Sequence, residues 1–365
     1  MAIKSKFFNR CLTPKYLKRI LLMFVAFCIL AAGLVYWWAG EQTKESLVEQ
    51  TLHREQVIAR SGARSIESFI DLASSSLLTY DHFVSESQID EIDKILEDYS
   101  NEWNDTPVAG FIYIDEDGII KSHASKSSTR SVGVSVEDRE YYKWAKEAND
   151  DDVFISKPLV SRIGESKGKY TIAVVTPIMN DGEFDGALTM GLLLSDITKK
   201  YLDPLKISED TNVYLIDLEG TILHSPDTSL IGENYFNFLS VLAKDGEIIS
   251  IDLKSMVSAK DEGKLVYTKV DSNPMLPNKQ LLTFSKVDPV GQKESNINPW
   301  YVVIETPSDD AEAFFGPFRN HLVLMLFFAI FVILGLFAIG LVTYRISQRD
   351  AYVDGFMHGR KHRKK

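Results

Sequence analysis

Three hydrophobic rhythms run along the chain. Two stretches are apolar throughout, Ile20–Ala39 (ILLMFVAFCILAAGLVYWWA) and Leu322–Val342 (LVLMLFFAIFVILGLFAIGLV). Each offers about 20 residues without a charge, enough to cross a hydrocarbon core of roughly 30 Å as a helix. The second rhythm follows the first run. From Glu41 to about Glu86 there is no proline and only one glycine, and Ala59, Ala63, Ile66, Ile70, Ala73, Leu77 and Tyr80 recur at alternating steps of four and three. That spacing predicts the seam of a long helix, which pairs either with a second helix in a dimer or with its own domain. A further helical segment is expected over 87–103, ending before Asp105-Thr106-Pro107.

Beyond Pro107 the period shortens to that of strands. FIYIDEDGIIKSHAS (Phe111–Ser125) reads as strand, Asp-x-x-Gly turn, strand, and NVYLIDLEGTILHSPD (Asn212–Asp227) repeats the pattern about 100 residues later. Each copy carries a Tyr on its first strand (Tyr113, Tyr214), an Asp three before the turn Gly (Asp115/Gly118, Asp217/Gly220) and a Ser/His pair on its second strand. The first hairpin is followed by the helix SVEDREYYKWAKEA and the strand-like runs VFISKPLVS, KYTIAVVTPI and GALTMGLLL. The second is followed by IGENYFNFLSVLAK and the strand-like runs IISIDL, KLVYTKV, KQLLTFSKV and WYVVIETP. Two tandem copies of one α+β module, each of about five antiparallel strands with a short helix, account for this order.

Charge fixes the topology expected of the two apolar runs. Lys4, Lys6, Arg10, Lys15, Lys18 and Arg19 precede the first without any acid, and seven basic residues follow the second. By the positive-inside rule both ends stay in the cytoplasm and the middle is exported. The YWWAG end of the first run is an interfacial aromatic belt rather than a small-x-small cleavage site, so it reads as a retained anchor. Of 40 Lys and Arg and 51 Asp and Glu, 27 basic and 49 acidic residues fall between the end segments, a net −22 that excludes nucleic acid and anionic membrane surfaces as partners of that part. The two cysteines, Cys11 and Cys28, lie in the leader and the anchor, which excludes a disulfide in the exported part and zinc held by thiolates.

Set between two anchors, the motifs Asp115–Gly118, DREYYKWA (Asp138–Ala145), ISKPLVS, the stretch Val175–Leu188 and NPWYVV resemble, in order and spacing, the double Cache (dCache) sensor domain of bacterial transmembrane receptors. The resemblance covers residues 41–316. It implies an α+β fold in which a long stalk helix carries two tandem PAS-like antiparallel sheet modules, flanked by two transmembrane helices. The layout is a leader at 1–19, a first span at 20–39, a stalk at 41–86, a distal module at about 105–200, a proximal module at about 208–307, a second span at 322–343 and a tail at 344–365. It also implies a two-pass protein of the bacterial inner membrane with its sensor in the periplasm.

In that family the distal module usually binds the ligand, and an Arg-x-aromatic-Tyr motif lines the pocket. By this resemblance Arg139, Tyr141 and Tyr142 hold the motif positions, Tyr113 faces them, and Thr189 and Gly191 on the last strand complete the ligand-binding set. A guanidinium offers planar donors to a carboxylate, and adjacent aromatics supply apolar walls. Members that bind amino acids add a Tyr five residues before the Arg and an Asp on the last strand; here those positions hold Val134 and Gly191. An α-amino ligand thereby loses its counter-charge, leaving a carboxylate, a nucleobase-like ring or a neutral polar solute. The same aromatics also read as core residues anchoring the helix to its sheet, with Arg139 a cap or a partner of Asp138 or Glu137.

No enzymatic signature stands beside these. The sequence has no HExxH, G-x-S-x-G, Walker A or G-x-G-x-x-G, and the i, i+4 pair His358/His362 lies in a Lys-rich end that reads as solvated. No catalytic residue, metal or cofactor is expected. Asp354-Gly355-Phe356-Met357 weakly resembles the opening of a diguanylate cyclase domain, but no GG(D/E)EF follows. Three readings therefore stand: a membrane-bound sensor of a small solute of unidentified class, signalling through its membrane helices to a partner or a homodimer; a truncated cyclic-di-GMP-related receptor; and a non-sensing periplasmic interaction protein.

Overall fold

A computed structural model describes residues 14–85, 87–127, 129–270, 278–289, 299–309 and, within 321–349, residues 321, 323–325, 327–340, 342–343, 346 and 349. Most of the basic leader, the tail motif at Asp354 and the His358/His362 pair lie outside the described residues. Two compact units result, one of Val48–Ala311 and one formed by the two ends of the chain.

In the end unit, one described helix, Val323–Gly340, is long and apolar enough to cross a membrane, with a mean hydropathy of 2.9. The first apolar run falls in a helix, and Phe24 stacks on Phe337 with ring centroids 5.1 Å apart. That helix, α1 (Pro14–Ser85), is 72 residues long.

The larger unit is organised by the C-terminal half of α1. The seven seam positions from Ala59 to Tyr80 are all buried, and they pack against residues of the same chain. Of the two pairings the spacing allows, the structure shows the helix pairing with its own domain. A second helix, α2 (Ile89–Glu102), folds back on α1, where Tyr80 stacks on Tyr99 and its hydroxyl accepts from the Trp103 indole at 2.9 Å and donates to Glu102 at 2.7 Å.

The first sheet contains β1 (Val108–Asp115), β2 (Ile120–Ser125), β3 (Phe154–Ile155), β4 (Leu159–Val160), β5 (Tyr170–Asn180) and β6 (Glu183–Leu193) in the order β2-β1-β6-β5-β3, with β4 also on β5. The helix α3 (Glu140–Ala145) covers one face, and α4 (Leu194–Tyr201) follows β6. The second sheet contains β7 (Asn212–Asp217), β8 (Ile222–His224), β9 (Glu262–Thr268), β10 (Lys279–Val287) and β11 (Trp300–Pro307) in the same order, β8-β7-β11-β10-β9. Its covering helices are α5 (Tyr235–Leu242) and α6 (Gly246–Ala259). Both sheets are antiparallel, so each turns alternate residues to α1 and to its own helices.

The two Asp-x-x-Gly turns are built alike. Asp115 Oδ1 accepts from the backbone N–H of Asp117 and Ile119, and Asp217 Oδ1 accepts from Thr221. Gly118 and Gly220 both take positive φ, and a Cβ at Gly220 would lie 2.4 Å from the Phe236 ring. Aligning the modules on these Asp and Gly residues places Tyr214 opposite Ile112 rather than Tyr113. The two tyrosines lie one residue out of step and on opposite faces, Tyr113 toward α1 and Tyr214 toward α5.

Two strand expectations change. VFISKPLVS forms two short strands, because Pro158 cannot donate to the ladder and divides them. IISIDL is helical and belongs to α6. Ile249, Leu253, Met256 and Val257 share its inward side while Ile248 and Ile251 are exposed, a helical period that a six-residue window hides.

Candidate functional site

The face of the first sheet under α3 holds a cavity of about 50 Å³. Its origin is a rung of small residues across three adjacent strands. Gly191 of β6 pairs with Gly110 of β1 on one side and Ala173 of β5 on the other. A Cβ at Gly110 would lie 2.4 Å from the Ala124 carbonyl, so that position takes no side chain. At Gly191 the nearest atom to an added Cβ is the Gly110 carbonyl at 3.7 Å, so the space above it is open. One residue pair along, Thr189 faces the same cavity; its side chain is 3% exposed and its hydroxyl has no hydrogen-bond partner among the described residues.

Arg139, Tyr141, Thr189 and Gly191 line this cavity, so the structure brings four of the six expected site residues together. Arg139 ends the extended segment before α3, and its Nη2 donates to the Val160 carbonyl at 3.0 Å. Among the described residues it forms no ion pair, whereas its neighbour Arg162 is held by Asp138 at 2.8 Å. Burial raises the Tyr141 hydroxyl to about 12, so it stays protonated.

Tyr113 and Tyr142 are placed elsewhere. Tyr113 sits in the core between the sheet and α1, because Ile112 and Ile114 take the cavity face of β1 and side chains alternate. Tyr142 is fully buried, and its hydroxyl donates to the carbonyls of Glu116 (2.6 Å) and Asp115 (3.2 Å). It fastens α3 to the Asp-x-x-Gly turn. Tyr142 is thus a core aromatic of the DREYYKWA helix, whereas Arg139 and Tyr141 line the cavity, Tyr141 also packing in the core beneath α3.

Sequence reasoning missed His123. Its Nδ1 accepts from the Ser131 N–H at 2.9 Å, and the Ser131 hydroxyl accepts from the Gly164 N–H at 2.9 Å, which draws the 159–166 loop over the cavity. Gly164 has φ +55°, and a Cβ there would lie 2.8 Å from His123 Cε1, so a glycine is required. Burial, with Arg130 nearby, lowers the His123 pKa and keeps the ring neutral. With Nδ1 accepting, the proton is on Nε2, which makes His123 a donor. Its only trace in the sequence was the Ser/His pair, read as a mark of the repeat.

The second sheet is filled at the corresponding place. Glu305 of β11 occupies the rung equivalent to Gly191, pairing with Asn212 and Leu282 where Gly191 pairs with Gly110 and Ala173. It is 1% exposed, and its Oε1 accepts from the hydroxyls of Tyr235 and Tyr267, the latter at 3.0 Å. Burial raises its pKa; the tyrosine hydroxyls and Lys269 oppose that rise. Among the described residues no group of three His, Cys, Asp or Glu side chains is arranged to hold a metal ion.

Comparison with known proteins agrees with this architecture. The family model described as Cache domain matches residues 41–314. The ligand-binding domain of the Campylobacter jejuni chemoreceptor Tlp3 in complex with L-valine superposes with a TM-score of 0.51 at 16% identity, covering 74% of this chain and 98% of that one. The ligand-binding domain of the Pseudomonas fluorescens chemoreceptor CtaA in complex with L-isoleucine gives 0.51 at 14% identity, with 74% and 98% covered. At such identities the likeness is one of fold. No curated protein matches the sequence.

Proposed function

The chain belongs to the Cache domain family, and on that premise we propose that it is a membrane-anchored extracytoplasmic sensor whose first sheet module binds a small solute. The observation that carries this is the Thr189 hydroxyl, buried, without a partner among the described residues and facing a cavity whose lining also holds Arg139 and His123. An unmet buried hydroxyl costs roughly 1–3 kcal/mol, so a site that keeps one gains that much from a ligand that satisfies it. Solved domains of the same fold carry L-valine or L-isoleucine; the floor of this module is Gly191, which supplies no carboxylate.

In this reading the runs 20–39 and 322–342 anchor the domain with both ends in the cytoplasm, and the basic flanks set that orientation. Occupancy of the cavity changes the packing of the first sheet on α1. The membrane helices pass the change to a signalling partner, provided the solute binds one arrangement better than the other. The test is a thermal-shift screen of the full chain in lipid nanodiscs against a broad metabolite array. At least one solute is expected to stabilise the protein and to lose its effect in Arg139→Ala. If no solute stabilises it, or if Arg139→Ala responds like the parent, the reading fails.

A further inference from the structure

Building on the reading of the first module as a solute site, we propose that its ligand is a small organic monoanion, a two- or three-carbon carboxylate, bound by Arg139, Thr189 and His123. Three independent features lead there.

The first is size. The cavity measures about 50 Å³, near a third of the roughly 150 Å³ that admits benzene. A cavity of that size favours the smallest solutes over a branched amino acid. The second is the polarity of the lining. Arg139 keeps N–H groups beyond the one given to Val160, His123 presents Nε2–H, and the Thr189 hydroxyl is unused among the described residues. Donors with no partner call for an acceptor ligand, and a carboxylate is the densest small acceptor. The third is charge. Arg162 is neutralised by Asp138, whereas Arg139 is not paired among the described residues, so one positive charge is left to the site. The single acid on the lining, Glu165, is exposed on the covering loop and is no partner for a buried ammonium group. Apolar walls from Ile112, Leu159 and Ile163 then meet the methyl or ethyl end.

The experiment is isothermal titration of the full chain in nanodiscs, in carboxylate-free buffer, with acetate, propionate and pyruvate against propionamide, L-alanine and L-valine. Propionamide keeps the shape of propionate without its charge, and L-alanine adds an ammonium. Saturable binding of the carboxylates is expected, with propionamide and L-alanine weaker by roughly ten- to a hundredfold, the worth of a charge-assisted hydrogen bond. Arg139→Gln is expected to lose propionate by the same factor. Gly191→Leu, whose Cβ meets the Gly110 carbonyl only at an ordinary 3.7 Å, fills the cavity and removes binding, and Tyr113→Phe, on the other face of β1, leaves it unchanged.

Propionamide binding as tightly as propionate overturns the anion assignment. So does L-valine binding tightest of the six; in both cases, loss of binding in Gly191→Leu leaves the solute site standing. Propionate binding that survives Gly191→Leu removes the cavity itself from consideration. Absence of any saturable signal also overturns the anion assignment, and the metabolite screen then judges the sensor reading separately.

Discussion

The two sheet modules share a strand order and a turn chemistry, yet one contains a cavity and the other a carboxylate in its place. At the equivalent rung the first module has Gly110, Gly191 and Ala173, and the second has Asn212, Glu305 and Leu282. In the second module, Tyr235 and Tyr267 close on Glu305 as donors would close on a bound anion. The module thus supplies its own acid where the first leaves donors waiting for one. The difference lies at a single position: one side chain on the middle strand decides whether the module is left open, as at Gly191, or filled, as at Glu305.

That contrast is broken most severely by removing Glu305. Glu305→Ala strands the Tyr235 and Tyr267 hydroxyls and leaves a void among them, so a loss of about 4 kcal/mol is expected from two orphaned donors and the cavity. Thermal unfolding of the full chain reads it. Ligand affinity in the first module should hold below the melting transition. A variant as stable as the parent, or one whose only defect is lost ligand binding, contradicts the structural role.

The modules are alike in that each lies beside a buried acid of α1. Glu55 is fully buried near Thr306, neither oxygen has a hydrogen-bond partner among the described residues, and burial raises its pKa to about 7, against opposing effects of Thr306 and Arg54. Asp81 is also raised to about 7, first by burial and then by the charges of Asp150 and Asp151. In both, the folded pKa lies above the unfolded value, so the folded state holds the proton more tightly. The stability each contributes is therefore full below about pH 4.5 for Glu55 and about 3.8 for Asp81, and is lost as pH rises toward about 7. For Glu55 the span corresponds to at most about 3 kcal/mol. Unfolding midpoints measured from pH 4.5 to 8 should fall with pH, and Glu55→Gln should flatten that fall. If the slope is the same in Glu55→Gln, the acid is not at the interface in the state that unfolds.

Much of this was legible in the sequence because it rests on periodicity. The seam of α1 follows from steps of four and three, and the tandem modules follow from a repeated Asp-x-x-Gly turn whose glycines need positive φ. What stayed hidden depends on register across strands. Tyr113 and Tyr214 looked equivalent because both precede an aspartate, but one lies two residues before it and the other three, and a single step reverses the face. Glu305 gave no local signal and His123 only its place in the repeated Ser/His pair, since their meaning comes from strands and loops distant in the chain. The helix α6 was hidden by an alternation too short to separate two periods.

The smallest effect separates anchoring from binding within one motif. Tyr142 and Arg139 lie three residues apart, yet Tyr142 fastens α3 to the first turn through the Asp115 and Glu116 carbonyls while Arg139 lines the cavity. Tyr142→Phe removes that donor and keeps the ring packed on Phe184. A loss of about 1 kcal/mol in unfolding free energy is expected, as for a single neutral hydrogen bond, with solute affinity unchanged within twofold or so. Arg139→Ala should do the reverse, costing little stability and most of the affinity. If Tyr142→Phe weakens binding more than it weakens the fold, the tyrosine hydroxyl reaches the ligand in the bound state, and the division between the two halves of DREYYKWA must be redrawn.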